Sequence, residues 1–187
     1  YIDVTMGPVL KIWREYRISN NQQEYLGIPE EEQLIEANKK VNIENLIIDE
    51  DNKTIFLNES GMSLDVGSIA KGFAAQLAVD EAKSRGMTNG LVSIGGNVIA
   101  FGENISNENE KWTVGVQDPD LSIDGNKNVI DSINVTDTCV VSSGGYERYF
   151  IINNKKYNHI INPNTLFPTD LFKAVTVVHE DSSIADI

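Results

Sequence analysis

Residues 64–102 place a helix between two glycine turns, and this stretch constrains the fold more than any other. The first turn lies at 67–68, and Gly86 marks the predicted end of the helix after two basic residues. The apolar residues of the predicted buried stripe are Ala70, Phe73, Ala74, Leu77, Ala78 and Ala82. A short buried strand is predicted at 91–94 and breaks at 95–97. Exposed backbone N–H groups at a helix start and in a glycine loop suit phosphate oxygens.

Outside that stretch, strands outnumber helices and are joined mostly by tight turns. Thr5 is predicted to cap a first helix with Pro8 in its first turn, and a second helix follows Pro29. The predicted strands lie at 46–49, 54–57, 112–116, 129–135, 138–142, 147–152, 156–161 and 174–179, with a turn at 124–126. Asp181 or Ser182 would cap a last helix. This pattern predicts an α+β fold with a mainly antiparallel sheet and packed helices.

The composition excludes some classes of function but does not identify one. The 187 residues contain no internal repeat and no linker, which predicts a single domain over 1–187. A formal net charge of −13 argues against a nucleic-acid surface and against docking on anionic lipid. A phosphate-rich ligand would therefore need a metal ion or local cationic groups. The single cysteine, Cys139, excludes a disulfide framework and is predicted to be a small buried hydrophobe.

The candidate chemical residues each have a plain structural interpretation as well. The segment 67–72 superficially resembles a nucleotide-binding P-loop, but its glycine-to-lysine spacing is too short and no Ser or Thr follows Lys71. Lys71 is equally consistent with a solvated lysine at a helix start. A lone histidine beside strand residues, such as His159, is more often structural than catalytic. An indole near a helix start, such as Trp13, usually packs in the core.

Four segments in order carry a resemblance to a known family. They read DVTMGPVLKIW near the start, LDVGSIAKGFA and LVSIGGN in the middle, and SSGGYERYFIINNKKYNHIINPNTLFP near the end. Together they resemble the ApbE family, the FAD:protein FMN transferases, over nearly the whole chain. Each motif alone would be a weak signal, whereas four in the family's order are a strong one. The resemblance implies an ApbE-like fold and a sequence that is incomplete at both termini.

The resemblance also implies which residues bind the flavin. The positions that would contact FAD are Trp13, Asp65, Lys71 and Ile160. His159 matches a histidine that lies at the flavin site and is linked to activity, so it is the implied catalytic residue. Flat aromatic surface at Trp13 would suit stacking on a ring system.

The implied metal is Mg²⁺, which takes oxygen ligands in near-octahedral geometry. The matching positions are Ser68, through its backbone carbonyl, and Asp186, through its carboxylate. The family pattern adds a Thr one helical turn after Asp186. The chain departs from the commoner pattern at Asn162, where Asp is usual, and at Leu166, where Gly is usual.

The implied reaction is Mg²⁺-dependent transfer of FMN from FAD to a Thr or Ser hydroxyl of an acceptor flavoprotein, with release of AMP. Water in place of the acceptor hydroxyl would make the protein an FAD pyrophosphatase. A flavin-binding module without turnover and an acidic extracellular adhesion domain are alternatives from other classes. Members of the family that the chain resembles usually act outside the cytoplasmic membrane, often as lipoproteins. An extracytoplasmic, membrane-anchored location is therefore expected, with membrane contact only through an N-terminal lipid anchor.

Overall fold

The computed structural model describes residues 2–23, 27–120 and 129–187. The chain divides into two compact units. The first unit contains Tyr1–Val66 and Glu147–Leu171, and the second contains Gly67–Tyr146 and Phe172–Ile187. The single domain expected from the sequence stays a prediction. Of the helices in the described ranges, none combines the length and the hydropathy that a membrane span requires.

In the described part of the chain, two helices and a hairpin come first, and a third helix, a run of eight strands and a short last helix follow. The helices are α1 (Gly7–Asn21), α2 (Glu31–Asn38), α3 (Ala70–Ser84) and α4 (Ser182–Ala185). The strands are β1 (Leu46–Asp49), β2 (Thr54–Leu57), β3 (Gly90–Ile94), β4 (Asn97–Phe101), β5 (Trp112–Gln117), β6 (Val129–Val135), β7 (Thr138–Gly144), β8 (Tyr149–Ile152), β9 (Lys155–Asn158) and β10 (Ala174–His179). The pairs among these strands are antiparallel, which confirms the predicted α+β fold. The predicted turn at 124–126 lies outside the described residues.

The first unit has an aromatic core between α1 and the β8–β9 hairpin. Trp13 is 3% exposed, and its ring centroid lies 6.3 Å from that of Phe150 and 6.1 Å from that of Tyr157. The latter two rings stack at 5.4 Å across the hairpin, where Phe150 pairs with Tyr157 in the strand register. These contacts fix α1 against the hairpin because the large rings exclude water from a shared surface.

The start of α1 differs from the prediction. Asp3 caps the preceding 3₁₀ turn, because its Oδ1 accepts the backbone N–H of Thr5 at 2.8 Å. Thr5 is fully buried and its hydroxyl donates to the same oxygen at 2.6 Å, so Thr5 does not cap the helix. α1 begins at Gly7, where a Cβ would lie 2.4 Å from the carbonyl oxygen of Ser63, and Pro8 follows in the first turn.

The second unit is built on a four-stranded antiparallel sheet in the order β10–β7–β4–β3. The sequence did not predict β4, although it lies inside this sheet and its residues Ala100 and Phe101 are almost fully buried. The apolar run of β4, Val98–Phe101, has four residues and no polar residue between them, so it gives no alternating signal, which explains the omission. The predicted strand at 91–94 is confirmed as β3, but it lies at the sheet edge and leaves Leu91 40% exposed. Cys139 on β7 is fully buried, as predicted.

α3 buries a different stripe from the predicted one. Its buried residues are Gly72, Ala75 and Val79, whereas Phe73 is 57% exposed and Leu77 is 52% exposed. The predicted stripe was therefore wrong. The close approach of α4 and the sheet to α3 requires small side chains, which a pattern based on hydrophobicity ranks below Phe and Leu.

Two of the predicted helix-end signals, at Gly86 and at Asp181, are confirmed. Gly86 adopts a left-handed φ of +90° just after α3 and donates its N–H to the carbonyl of Lys83 at 3.0 Å, so the predicted helix end is confirmed. Asp181 caps α4, because its side chain accepts the N–H groups of Ser183 and Ile184. The cap places α4 directly after β10, and this connection positions Asp186 at the end of α4.

Candidate active site

In the second unit, Lys71 and Asp186 form a partly buried ion pair at the start of α3. Lys71 Nζ lies 3.3 Å from Asp186 Oδ1 and 3.2 Å from Asn97 Oδ1. The Asp186 side chain is 1% exposed and that of Lys71 is 34% exposed. A carboxylate this deeply buried needs a cation or hydrogen-bond donors nearby, and Lys71 supplies the cation. Lys71 is therefore not the solvated lysine that the sequence also allowed.

Glycine makes this arrangement possible. The backbone N–H of Gly72 donates to Asp186 Oδ2 at 2.9 Å, so both carboxylate oxygens have a partner. A Cβ at position 72 would lie 2.2 Å from the carbonyl oxygen of Ser182 and 2.7 Å from Asp186 Cβ. The first turn of α3 therefore lies in close contact with the backbone of Ser182 at the start of α4. Only glycine at 72 lets the Asp186 carboxylate reach the helix start.

Ser68 lies in the turn that leads into α3 and is exposed. In a regular helix the N–H of Gly72 would bond to the carbonyl four residues earlier, which is that of Ser68. Here that N–H bonds to Asp186 instead, and no other backbone N–H of the described residues donates to the Ser68 carbonyl. This oxygen is available as a ligand. The described residues hold no cluster of three or more His, Cys, Asp or Glu that could bind a metal.

Asn97 is a further residue of this site, and the glycine turn before it is the sequence signal that points to it. It is the first residue of β4 and is fully buried. Its Oδ1 accepts from Lys71, while its Nδ2 has no hydrogen-bond partner. The Gly95 turn just before it approaches the lysine stem, since a Cβ there would lie 3.4 Å from Lys71 Cδ. The turn and the amide together hold Lys71 beside Asp186.

In the first unit, Asp65 pairs with a residue that the sequence did not single out. Arg14 on α1 places Nη2 3.1 Å from Asp65 Oδ2, and the two side chains are 59% and 21% exposed. The backbone N–H of Asp65 donates to the carbonyl of Val4 at 2.8 Å, which ties the segment before α3 to the start of the chain. Spacing could not have predicted the Arg14–Asp65 pair, since 51 residues separate its members.

Trp13 lies inside the aromatic core. Its Nε1 donates to the carbonyl of Leu166 at 2.8 Å, and Phe167 covers it edge-on at 5.5 Å. The rings of Phe150 and Tyr157 also pack against the Trp13 indole, and this packing favours a role in the core. Contact of Trp13 with FAD stays a prediction.

His159 follows β9 and is half-buried. Burial lowers its pKa below the usual 6.5, and the positive charge of Arg148 lowers it further. A hydrogen bond with the backbone of Arg148 raises the pKa, Arg17 lowers it, and Glu147 raises it, each contributing less than burial. His159 is therefore neutral at pH 7, and its Nδ1 is buried without a hydrogen-bond partner. A neutral imidazole can accept a proton, as a general base must.

The backbone N–H and carbonyl groups of Ile160 both form hydrogen bonds within the first unit. Its N–H donates to Asn158 Oδ1 at 2.8 Å, and its carbonyl accepts the N–H of Thr169 at 2.9 Å. A carbonyl oxygen has a second lone pair, so the predicted FAD contact of Ile160 is compatible with these bonds and stays a prediction.

The structure shows what Asn162 and Leu166 do at the two positions where the chain departs from the commoner family pattern. Leu166 has a left-handed φ of +62°, which explains why glycine is the commoner residue at this position. Asn162 Oδ1 accepts the N–H of Asn164 at 2.9 Å, and the Asn162 carbonyl accepts that of Leu166 at 2.8 Å. Asn162 therefore organises the turn that follows His159.

Comparison with known proteins places the chain in a family. A model of the ApbE family matches residues 1–187. The chain belongs to the ApbE family. An FAD:protein FMN transferase from Klebsiella pneumoniae (strain 342) is 31% identical over 186 residues, which are 99% of this chain and 54% of that protein. One from Treponema pallidum (strain Nichols) is 37% identical over 141 residues, or 71% of this chain and 38% of that protein.

Solved ApbE structures share the fold. The ApbE protein of Thermotoga maritima has a TM-score of 0.82 and 33% identity, covering 98% of this chain and 56% of its own. The apo form of the flavinyl transferase ApbE of Pseudomonas stutzeri has a TM-score of 0.75 and 25% identity, covering 99% and 54%. The chain thus spans about half the length of the ApbE proteins it matches.

Proposed function

We propose that the protein is an FAD:protein FMN transferase. It would transfer FMN from FAD to a Thr or Ser hydroxyl of an acceptor flavoprotein and release AMP, with Mg²⁺ as cofactor. Membership of the ApbE family supports this reaction, as do relatives named for it. The structural observation that carries the proposal is the Lys71–Asp186 pair, with its buried carboxylate.

The oxygen donors of the second unit suit Mg²⁺. Asp186 and the Ser68 carbonyl would hold the ion, and Mg²⁺ in proteins is commonly bound by one or two carboxylates plus substrate phosphates and water. Each carboxylate oxygen can accept more than one bond, so Asp186 keeps ligand capacity beside Lys71 and Gly72. When bound, Mg²⁺ would neutralise charge on the transferred phosphoryl group.

Lys71 would provide the second positive charge. Its ammonium is fixed by Asn97 and Asp186, and its side chain remains about one-third exposed, so a ligand oxygen can reach it. A preorganised cation stabilises developing negative charge without reorganising during the reaction. In a protein with a net charge of −13, such local cations decide whether a pyrophosphate can bind.

His159 would act as the proton acceptor. The acceptor hydroxyl must lose its proton as it attacks phosphorus, and a histidine that is neutral at pH 7 can take it. The half-buried imidazole with an unpartnered Nδ1 fits this role. A solved ApbE structure from Vibrio cholerae carries a histidine-to-glycine change, which shows that a histidine of that protein has been a target of substitution.

The experiment is to incubate the protein with FAD and a Thr-containing acceptor peptide, with Mg²⁺ or with EDTA, and to follow AMP and the peptide mass. Transfer predicts AMP and flavin-modified peptide in equal amounts, only with Mg²⁺. AMP with free FMN would identify an FAD pyrophosphatase instead. FAD binding without AMP would identify a binding module and contradict the proposal.

We also propose that the protein acts outside the cytoplasm, held to the membrane by an N-terminal lipid anchor. The support is the resemblance to family members that are lipoproteins. Fractionation of cells that express the natural gene, with and without globomycin-type inhibition of lipoprotein processing, would test this. Recovery of the protein in the cytosolic fraction would contradict it.

A further inference from the structure

Three of the four arginines of this acidic chain converge in the first unit. They are Arg14 and Arg17 on α1 and Arg148 just before β8. Positions 13, 17 and 21 lie on one face of α1 at a spacing of four residues. Trp13 packs on Phe150, and Asn21 Nδ2 lies 3.5 Å from the carbonyl of Tyr149. Arg17, between them, therefore faces the start of β8.

The hairpin register brings His159 to the same place. Tyr149 pairs with Asn158 at the open end of the β8–β9 hairpin, so the next residues outward are Arg148 and His159. The backbone of Arg148 also acts on the pKa of the His159 imidazole, as this placement requires. Arg17, Arg148 and His159 thus lie together on α1 and at the end of the hairpin.

Charge in this cluster is not balanced by the described residues. Arg14 pairs with Asp65, but neither Arg17 nor Arg148 forms an ion pair within residues 2–23, 27–120 and 129–187. Arg17 is half-buried, and burial, Arg148 and Arg14 all lower its pKa, which is the mark of crowded positive charge. Glu147 is the opposing charge that His159 senses. The like charges of Arg17 and Arg148 disfavour each other, and an anion bound between them would offset this repulsion.

We propose that Arg17, Arg148 and His159 form a binding site for the dianion of a phosphate monoester, such as that of a mononucleotide. Two guanidinium charges without an ion-pair partner among residues 2–23, 27–120 and 129–187 match two negative charges, whereas a single carboxylate would neutralise only one. The planar guanidinium fork suits phosphate oxygens. The unpartnered Nδ1 of His159 adds a donor once the ring is protonated. The inference rests on the proposed function and adds a ligand site to it, because AMP, the product of that reaction, is a phosphate monoester.

The test uses the protein without FAD or metal, so it does not depend on the transferase reaction. The chain has two histidines, and His179 serves as an internal control because its Nδ1 accepts the N–H of Asp181. Proton NMR of the imidazole C2 resonances gives the pKa of each histidine. We expect inorganic phosphate and AMP to raise the pKa of His159 by roughly one unit and to leave that of His179 unchanged. Adenosine, and acetate at equal ionic strength, should change neither.

Arginine variants assign the effect to the site. Arg17→Gln and Arg148→Gln should each abolish the phosphate-dependent change at His159. Arg85→Gln is the matched control, since Arg85 pairs with Glu81 on α3 at 2.7 Å and should leave the effect intact. If Arg148→Gln does not fold, Arg17→Gln decides alone. The proposal is overturned if phosphate leaves the His159 pKa unchanged, if acetate matches phosphate, or if the effect survives in Arg17→Gln. Transferase activity together with any of these results would leave the proposed function standing.

Discussion

At the scale of the residue, Asp186 shows how the fold stabilises a buried charged group. The carboxylate is almost completely buried, yet both its oxygens are hydrogen-bonded, one to an ammonium and one to a backbone N–H. Burial of an unpaired carboxylate would cost several kcal/mol, so Lys71 is needed for the fold as well as for the proposed FAD contact. A single lysine therefore links stability to function.

Lys71→Ala should weaken FAD binding by about one to two decades, since a charge-assisted contact is worth roughly 1.5–3 kcal/mol. It should also lower the free energy of unfolding by about 1–3 kcal/mol, because Asp186 loses its cation. Calorimetric titration with FAD and urea unfolding would measure the two effects. Lys83→Ala is the control, since Lys83 on the same helix pairs with the exposed Asp137 at 3.6 Å and lies 5.7 Å from the centre of the Phe101 ring. Unchanged FAD affinity in Lys71→Ala would contradict the assignment.

The depressed pKa of His159 predicts how stability depends on pH. Below the unfolded pKa of about 6.5 the unfolded chain binds a proton that the folded protein resists, so the free energy of unfolding falls as the solution becomes more acidic. The loss levels off once the pH is below the folded pKa. Urea unfolding of the wild type and of His159→Gln between about pH 7.5 and about pH 5 would measure it. His159→Gln should remove this part of the pH dependence, and His179→Gln should not.

At the scale of the element, the contact between α3 and α4 positions the proposed metal ligand. α4 has only four residues and could not be stable alone, so its cap at Asp181 and its packing on Gly72 hold it in place. The buried stripe of α3 is formed by small residues for the same reason. Phe73 and Leu77, which a hydrophobicity pattern would place inside, are exposed instead.

Gly72→Ala tests this contact directly. Alanine favours a helix by about 1 kcal/mol over glycine, but its Cβ would lie 2.2 Å from a backbone oxygen of α4. A backbone oxygen cannot rotate away, so we expect a net loss of about 1–3 kcal/mol in the free energy of unfolding. Ala78→Gly, at an exposed position of the same helix, isolates the propensity effect. A more stable Gly72→Ala variant would show that α4 does not pack here.

At the scale of the whole molecule, an acidic protein carries a few local groups of cations. Lys71 lies in the second unit, and the arginines of α1 and Arg148 lie in the first. A net charge of −13 repels a free pyrophosphate at long range, so binding must rely on contacts within a few ångströms, where salt screens less.

This charge distribution predicts flavin selectivity. We expect the protein to bind FAD much more tightly than FMN or riboflavin, because the recognised motifs and local cations suit phosphate groups. Calorimetric titration with the three flavins in the presence of Mg²⁺ would measure the difference. Equal affinity for riboflavin and FAD would contradict a phosphate-centred site.

The sequence by itself determined the family, the α+β class, and most strand positions, since hairpin turns, caps and motif order are local signals. It named Lys71 and Asp186 as separate candidates through a resemblance. Tertiary structure decided that they form one ion pair, that Asn97 completes it, and that Arg14 pairs with Asp65. It also placed Trp13 in the core and reversed the exposed and buried faces of α3. Contacts between residues far apart in the chain depend on packing, and no local pattern encodes which small residue will meet which backbone.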